Sequence, residues 1–439
     1  MNTLGIVVEY NPFHNGHLYH LTQSIKKVNA THTLAVMSGD FVQRGTPAFT
    51  DKWVRTKMAL DAGVNLVVEL PAIYAMQDAG GFATGSVKLL DRTRICTNLV
   101  FGSESNDIGA LKYLAKVMVE NEYALSEMEE KYVKEGFSHP NARKYAFRDF
   151  LNNRSMDDDQ RQHIIEILAR SNDILGLEYL KALKIIRSEI EPDCIGRTGS
   201  DYNNASLIEN FSSATAIRKA FQMKKAEEIK NNVPPHVWET LLTLEEKLKL
   251  PNLENFEITL INKLRALTRD HLQQFYGFTE GLDLRFLKAA MISRNLEELL
   301  QRVKSKRFTY TRLQRLLLYF LFEITKADIA DSEEFGPQYI RILGFDEKGQ
   351  ELLSAMRDRA TIPVISTPSI YNKTYSKYER RYETREEETP GEKPYYSHYE
   401  MFKKQLAFDF RCADYYTTLQ CGFLPDALMD IKRKPLIIQ

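Results

Sequence analysis

Cysteine is scarce in this chain. Its four residues, Cys96, Cys194, Cys412 and Cys421, lie far apart and form no Cys-x-x-Cys pair. That scattering argues against a disulfide scaffold and fits free thiols in a reducing cytoplasm. Long apolar runs are also missing: none approaches the roughly 18 residues that cross a bilayer, so no membrane span is expected. The first residues carry neither a basic stretch nor a small-residue cleavage site, so no signal peptide is expected. Charge of one sign is not in excess, since 59 Lys and Arg balance 59 Asp and Glu. Without a global field, any nucleic-acid binding must come from a local patch. Glycine-rich phosphate loops are absent too, both Gly-x-Gly-x-x-Gly and Gly-Lys-Ser/Thr, so a bound nucleotide would need another cradle. Together these absences describe a soluble, cytoplasmic protein, and its 439 residues suggest two domains.

The most informative run present is Val7-Val8-Glu9-Tyr10-Asn11-Pro12-Phe13-His14-Asn15-Gly16-His17-Leu18-Tyr19-His20. Leu4 to Val8 is an apolar stretch of strand length, and Asn11-Pro12 turns the chain. Leu18, Leu21, Ile25 and Val28 then follow helical spacing. His14 and His17 therefore sit where a buried strand hands over to a helix, and Gly16 allows close backbone approach. The free N–H groups of a helix start attract anions, which suits a triphosphate. The chemistry expected is charge stabilisation during attack on the α-phosphorus, with no covalent enzyme intermediate. A zinc site fits poorly: no cysteine is near, and the acid of a His-Glu-x-x-His helix is missing.

The first half alternates candidate strands (4–8, 33–37, 66–70, 98–101, 194–195) with helical stretches (17–28, 51–62, 82–91, 107–133, 173–188). Such alternation predicts an α/β fold, a Rossmann-like parallel sheet with ligands at the carboxyl ends of its strands. The loops at His14, Ser38-Gly39-Asp40 and Gly102-Ser103-Glu104 should open on one edge. From about residue 226 helical patterns dominate, giving a nucleotide-binding domain over 1–225 and a mostly helical one over 226–439. Residues 371–405, polar and rich in tyrosine, read as a loop rather than regular structure.

Other constellations admit a functional and a structural reading. Asp40 could help hold magnesium on phosphates, or cap its own turn. Lys52, Arg55 and Lys57 read as a solvated helix face. Asn172 or Asp173 reads as a helix cap, with Asn172 also placed to meet an adenosine or ribose. Arg197 follows a strand end, where its fork suits phosphate or a surface ion pair. Ser213, Thr215 and Arg218 mark a second anion-binding helix start. The stretch from Gln301 to Arg315 holds Arg302, Lys304, Lys306, Arg307, Arg312 and Arg315 with Phe308 and Tyr310 and no acid. Basic residues interleaved with aromatics suit RNA, and a solvated helix face is the alternative.

A His-x-Gly-His after the first strand with a late Ser-x-Thr-x-x-Arg helix resembles the nucleotidylyltransferase superfamily. The longer set is narrower. Val8-Glu9-Tyr10-Asn11-Pro12-Phe13-His14-Asn15-Gly16-His17, Met37–Gly45, Val67–Pro71, Phe101–Glu104, Asn172–Gly176 and Ser213–Arg218, in that order, resemble the bacterial tRNA(Met) cytidine acetate ligases. One departure is Ser171, where the family commonly has proline. The resemblance implies ATP, acetate and elongator tRNA(Met) as substrates and acetylation of the wobble cytidine at N4; magnesium is the cofactor expected on the phosphates. It implies an ATP site formed by Val7 to His20, Gly102, Asn172 and Arg197, with His14 and His17 stabilising phosphate charge and Arg218 on pyrophosphate. No obligate protein partner is indicated. The rival expectations are an adenylyltransferase for a small phosphorylated metabolite and a non-enzymatic RNA-binding protein.

Overall fold

The computed structural model describes residues 1–438 apart from 153–156, 198–211, 248–249, 368, 370, 372, 377–394 and 422–429. Its frame is an eight-stranded sheet built from β1 (Thr3–Val8), β2 (His32–Ser38), β3 (Leu66–Leu70), β4 (Asn98–Ser103), β5 (Glu191–Gly196), β6 (Ile340–Phe345), β7 (Val364–Ile365) and β8 (Leu436–Ile437). The order is β8-β6-β3-β2-β1-β4-β5, with β7 on β6. The five first-half strands are mutually parallel; β1 to β4 are largely apolar, as strands covered on both faces require, whereas the edge strand β5 is polar at Glu191 and Asp193 and only Cys194 is fully buried. β1 and β2 run in register from Thr3 opposite His32 to Val8 opposite Met37, so the loops leaving them emerge side by side. The helices that matter for the site are α1 (Asn15–Lys27), α2 (Lys52–Asp61), α3 (Ala79–Thr93), α4 (Ser171–Ile185), α5 (Ala214–Gln222), α6 (Tyr310–Leu321) and α7 (Tyr395–Cys421).

Three sequence expectations change. The part read as a mostly helical domain, 226–439, is largely helical among its described residues but also supplies β6, β7 and β8, which extend the first half's own sheet, β6 antiparallel to β3. The stretch read as one helix over 107–133 is two, broken at Asn121, whose φ of −125° leaves the helical region. The tyrosine-rich segment ends in regular structure, since α7 begins at Tyr395 and its residues Phe402 and Leu406 are buried. Residues 371 and 373–376 are helical too, and 372 and 377–394 lie outside the described residues.

A buried charge cluster ties β6 and the chain's end to the first half. The Lys52 ammonium lies 2.8 Å from Glu69, 2.9 Å from Asp430 and 3.4 Å from Asp40. Arg341 on β6 pairs with Glu69 at 3.1 Å and Asp430 at 2.7 Å. Opposite charges are what allow five such groups into the interior, where an unpaired one would be costly.

Candidate functional site

The strand-to-helix loop is organised by its two histidines. His14 stands at the N-cap of α1, where its Nδ1 accepts the Gly16 N–H at 3.1 Å. His17, at the third helical position, uses Nδ1 to accept the His14 N–H at 3.2 Å. The reciprocal cap satisfies two helix-start donors and fixes both rings with Nε2–H as the remaining donor. The imidazoles stack, centroids 3.7 Å apart and planes 21° off parallel. Gly16 is required here: a Cβ would fall 2.9 Å from His14 Cε1. Burial, reinforced by the charges of Arg197 and Arg218, lowers the His14 pKa to about 3. Burial and the neighbouring imidazole likewise hold His17 well below the usual range. Both rings are therefore neutral hydrogen-bond donors at physiological pH.

His20, one turn further, is pushed down by burial to about 4 and hydrogen-bonds to the backbone of Phe101. Its Nε2 is buried without a partner. A cavity of about 200 Å³ takes its walls from Val7 to Tyr10, His14, Gly16, His17, Tyr19, His20, Gly102, Asn172 and Arg197, so three strand ends and two helix starts meet there. That volume is below the range of about 300–1,000 Å³ usual for ligand sites, and the cavity is an open cleft.

The neighbouring loops are braced from below. The Glu9 carboxylate accepts the Gln43 N–H at 2.9 Å, and Asn11 Oδ1 accepts the Phe49 N–H at 2.6 Å. Arg55 donates to the carbonyls of Glu9, Ser38, Gly39 and Thr50. Across the sheet, Glu104 and Asp173 lock each other's loops. The Glu104 carboxylate takes the Asn172 and Asp173 N–H groups at 3.1 and 2.9 Å, and Asp173 takes those of Glu104 and Ser105, each at 3.0 Å. Asn172 Oδ1 meets Arg197 Nη1 at 3.4 Å. On α5, Ser213 is the N-cap and accepts the Ala216 N–H, Thr215 Oγ1 accepts from Arg44 and Arg218, and Arg218 reaches the Asn11 carbonyl at 2.6 Å.

The chain that builds this histidine-capped helix start matches the HIGH Nucleotidyl Transferase family model over residues 1–421. Among curated relatives, the tRNA(Met) cytidine acetate ligase of Thermosipho africanus is 46% identical, with 85% of this chain and 86% of that one covered. The enzyme of the same name from Thermotoga maritima is 40% identical over 93% of this chain and 94% of its own. The chain belongs to the tRNA(Met) cytidine acetate ligase family. A crystal structure of Thermotoga maritima TmcAL without ligand superposes with a TM-score of 0.89 at 38% identity, both chains covered in full. The form bound with alpha-thio ATP gives 0.88, also at 38% identity and full coverage.

Within this acetate ligase relative, several sequence readings move. Asp40 is not in the cavity wall. Its carboxylate is buried and accepts the Lys52 backbone N–H at 3.2 Å beside the Lys52 ammonium. Lys52 and Arg55 are buried braces rather than a solvated face, and of the three only Lys57 is exposed, paired with Asp61. Asn172 and Asp173 lie in the first turn of α4 and not at its cap, which is Arg170 and carries no side-chain cap bond. Ser213 caps α5 and Thr215 holds Arg44 and Arg218, and neither lines the cavity. The run from 301 to 315, free of acid in sequence, is met by acid in space. Arg302 pairs with Glu298 at 2.5 Å and Arg307 with Glu280 at 2.6 Å, while Lys304 lies over the Tyr310 ring and Lys306 is exposed. Sequence reasoning missed Gln43, the reciprocal Glu104–Asp173 lock and the roles of Glu69 and Arg341. Gln43, Glu104, Asp173 and Glu69 all sit in motifs already singled out: Glu104 directly follows β4, Asp173 lies in the first turn of α4, and Glu69 is an acid inside the apolar strand β3.

The buried neutral imidazoles set the acid response of the fold. The unfolded chain takes up protons at histidine below about pH 6.5, whereas His14 and His20 resist until about 3 and 4. The unfolded state therefore binds more protons in that interval, and stability falls as pH drops from about 6.5 towards 4. Asp409, which burial lifts to about 7, acts in the opposite sense over the same window, so the check is the difference between two proteins: the denaturant midpoint of His20→Gln should fall less than that of the wild type between pH 7.5 and 5, and equal declines would contradict the assignment.

Proposed function

We propose that the protein activates acetate with ATP and transfers the acetyl group to N4 of the wobble cytidine of elongator tRNA(Met). An acetate oxygen attacks the α-phosphorus and the bond to the β-phosphate oxygen breaks, giving acetyl-adenylate and pyrophosphate. The cytidine amine then attacks the acyl carbon, the carbon–oxygen bond to AMP breaks, and the amine loses a proton. The neutral, stacked His14 and His17 carry this reading, because their Nε2–H donors suit charge that grows on phosphate oxygens in the transition state. The alpha-thio ATP complex of the Thermotoga maritima relative and the names of relatives that cover most of the chain support it over a metabolite adenylyltransferase or an RNA-binding protein.

ATP is assigned to Val7 through His20 with Gly102, Asn172 and Arg197, and the unpartnered Nε2 of His20 is an acceptor for a nucleotide donor. Arg218, held over Asn11, is assigned to pyrophosphate with Ser213 and Thr215 behind it. Magnesium is assigned to the triphosphate itself. Asp40 is engaged by Lys52, and no group of three or more His, Cys, Asp or Glu among the described residues is placed to hold a metal. Arg302, Lys304, Lys306 and Arg307 are assigned to RNA. A tRNA-modifying role places the protein in the cytoplasm, and no helix among the described residues is long and apolar enough to cross a membrane.

The test is pyrophosphate release from ATP with acetate and an elongator tRNA(Met) transcript, followed by nucleoside analysis of the RNA. Acetate-dependent release with acetylated cytidine is the expected result. Release that needs a phosphorylated metabolite and ignores acetate would replace the assignment with the adenylyltransferase.

A further inference from the structure

A second cavity, larger than the histidine site, lies beside it. A space of about 740 Å³ opens between the N-terminus of α3, the outer face of α4, the helix His139–Asn152 and α6. It adjoins the nucleotide cavity at two places. α4 serves both: Asn172, Leu175 and Tyr179 face the histidines, while Ile174, Leu177 and Lys181 face the larger space. Arg315 in the larger wall donates to the carbonyl of Gln43, a residue of the smaller wall, at 3.3 Å. The contact between α6 and the turn that carries Gln43 is close and fixed. Gly45 has a φ of 78°, and a Cβ there would fall 2.4 Å from the Arg315 nitrogen.

The lining is basic in a chain of zero net charge. Six cations, Arg143, Lys181, Arg307, Arg312, Arg315 and Lys326, face two carboxylates, Asp78 and Glu178. Glu129 and Glu280 stand close by. Glu178 holds Arg143 and Lys181, at 3.1 and 2.6 Å, and Glu280 holds Arg307 and Arg312, at 2.6 and 2.8 Å. With those two acids counted, the cations still lead by six to four. The acids orient the guanidinium forks without cancelling the field. Tyr276 adds a half-buried aromatic ring, 5.5 Å from that of Tyr319.

We infer that this cavity receives the nucleotides flanking the reacting cytidine, with Arg312, Arg315 and Lys326 on their phosphates and Tyr276 as a stacking face. The inference rests on the functional reading above. A base that undergoes chemistry is taken out of its stack. Its neighbours stay attached through phosphodiesters and must lie on the nearest surface that tolerates them. Single-stranded RNA is held by cations on its backbone and by aromatic or guanidinium faces on its bases. This cavity offers both, one residue away from the nucleotide site.

The experiment measures binding of an elongator tRNA(Met) transcript across a salt series, with ATP binding followed by calorimetry. Arg315→Ala/Lys326→Ala should raise the tRNA dissociation constant about tenfold and flatten the log–log salt slope by about 0.7 per lost single-strand phosphate contact. Lys326→Ala, which removes no contact to the nucleotide cavity, should keep the ATP dissociation constant of the wild type, and measurable ATP binding by the double variant shows that it is folded. Arg315→Lys should keep most of the affinity, and Lys57→Ala, an exposed lysine on α2, should behave as wild type. Lys326→Ala alone, at an exposed position, gives a second reading should the double variant prove unstable. Unchanged tRNA affinity and slope in Lys326→Ala and the double variant would overturn the inference while leaving the ligase reading intact. A wild-type protein that binds no tRNA would overturn both.

Discussion

Alanine at His14 or His17 is expected to lower turnover by a factor of about 10² to 10³ while the sheet stays folded. Removing one donor aimed at transition-state charge costs about that much. His14 has a second duty, since its Nδ1 caps α1 through the Gly16 N–H. Loss of a cap costs about 1 kcal/mol of stability, so His14→Ala should also show a modest drop in denaturant midpoint. His14→Asn separates the two duties: it keeps an acceptor at the cap but lacks the ring donor, so stability should return and turnover should not. Because neither ring ionises near neutrality, the pH profile of the wild type between 6 and 8 should show no histidine limb. Near-normal turnover in both alanine variants would remove the histidines from the chemistry.

Much of the site was legible because it is local. The strand Leu4–Val8, the turn at Asn11-Pro12 and the helix from Asn15 are each dictated by neighbours in sequence, so the motif could be placed before any tertiary contact was known. The same holds for Gly102, Asn172 and Arg197, which follow strand ends or open a helix and gather at one edge once the sheet is parallel. What escaped was long-range. The Ile340–Phe345 strand is a short apolar run among helical patterns, and nothing in its own sequence says that it pairs antiparallel with a strand about 270 residues earlier. Lys52 and Arg55 were misread because lysine and arginine are almost never fully buried unless paired, and their partners come from Glu69, Asp430 and backbone carbonyls of separate loops. The basic tract erred the other way: its acids, Glu280 and Glu298, lie outside the window but beside it in space.

The Lys52 cluster carries the largest expected effect on stability. Lys52→Met is expected to destabilise the protein by about 3–5 kcal/mol, the usual cost of leaving a buried charge without its partner. Methionine fills the volume of the lysine stem, so packing loss contributes little, and the effect falls on Glu69, Asp40 and Asp430, which keep only Arg341 among them. In the native cluster two cations face three carboxylates; the single variant leaves one cation facing three. Lys52→Met/Glu69→Leu leaves one facing two and restores the native imbalance, so the double variant should recover much of the loss. That recovery distinguishes electrostatic imbalance from a general intolerance of α2 to substitution, under which the second change would add to the first. The damage should also be local: β6 and the segment at Asp430 are joined to the first half through these charges, so hydrogen exchange should rise at Ile340–Phe345 before it rises at β1 and β2. Chemical denaturation of the single and double variants, read with exchange at β6, provides the check. A single variant within about 1 kcal/mol of wild type would mean that water or rearranged side chains already satisfy these carboxylates, and that the cluster does not hold the two halves of the sheet together.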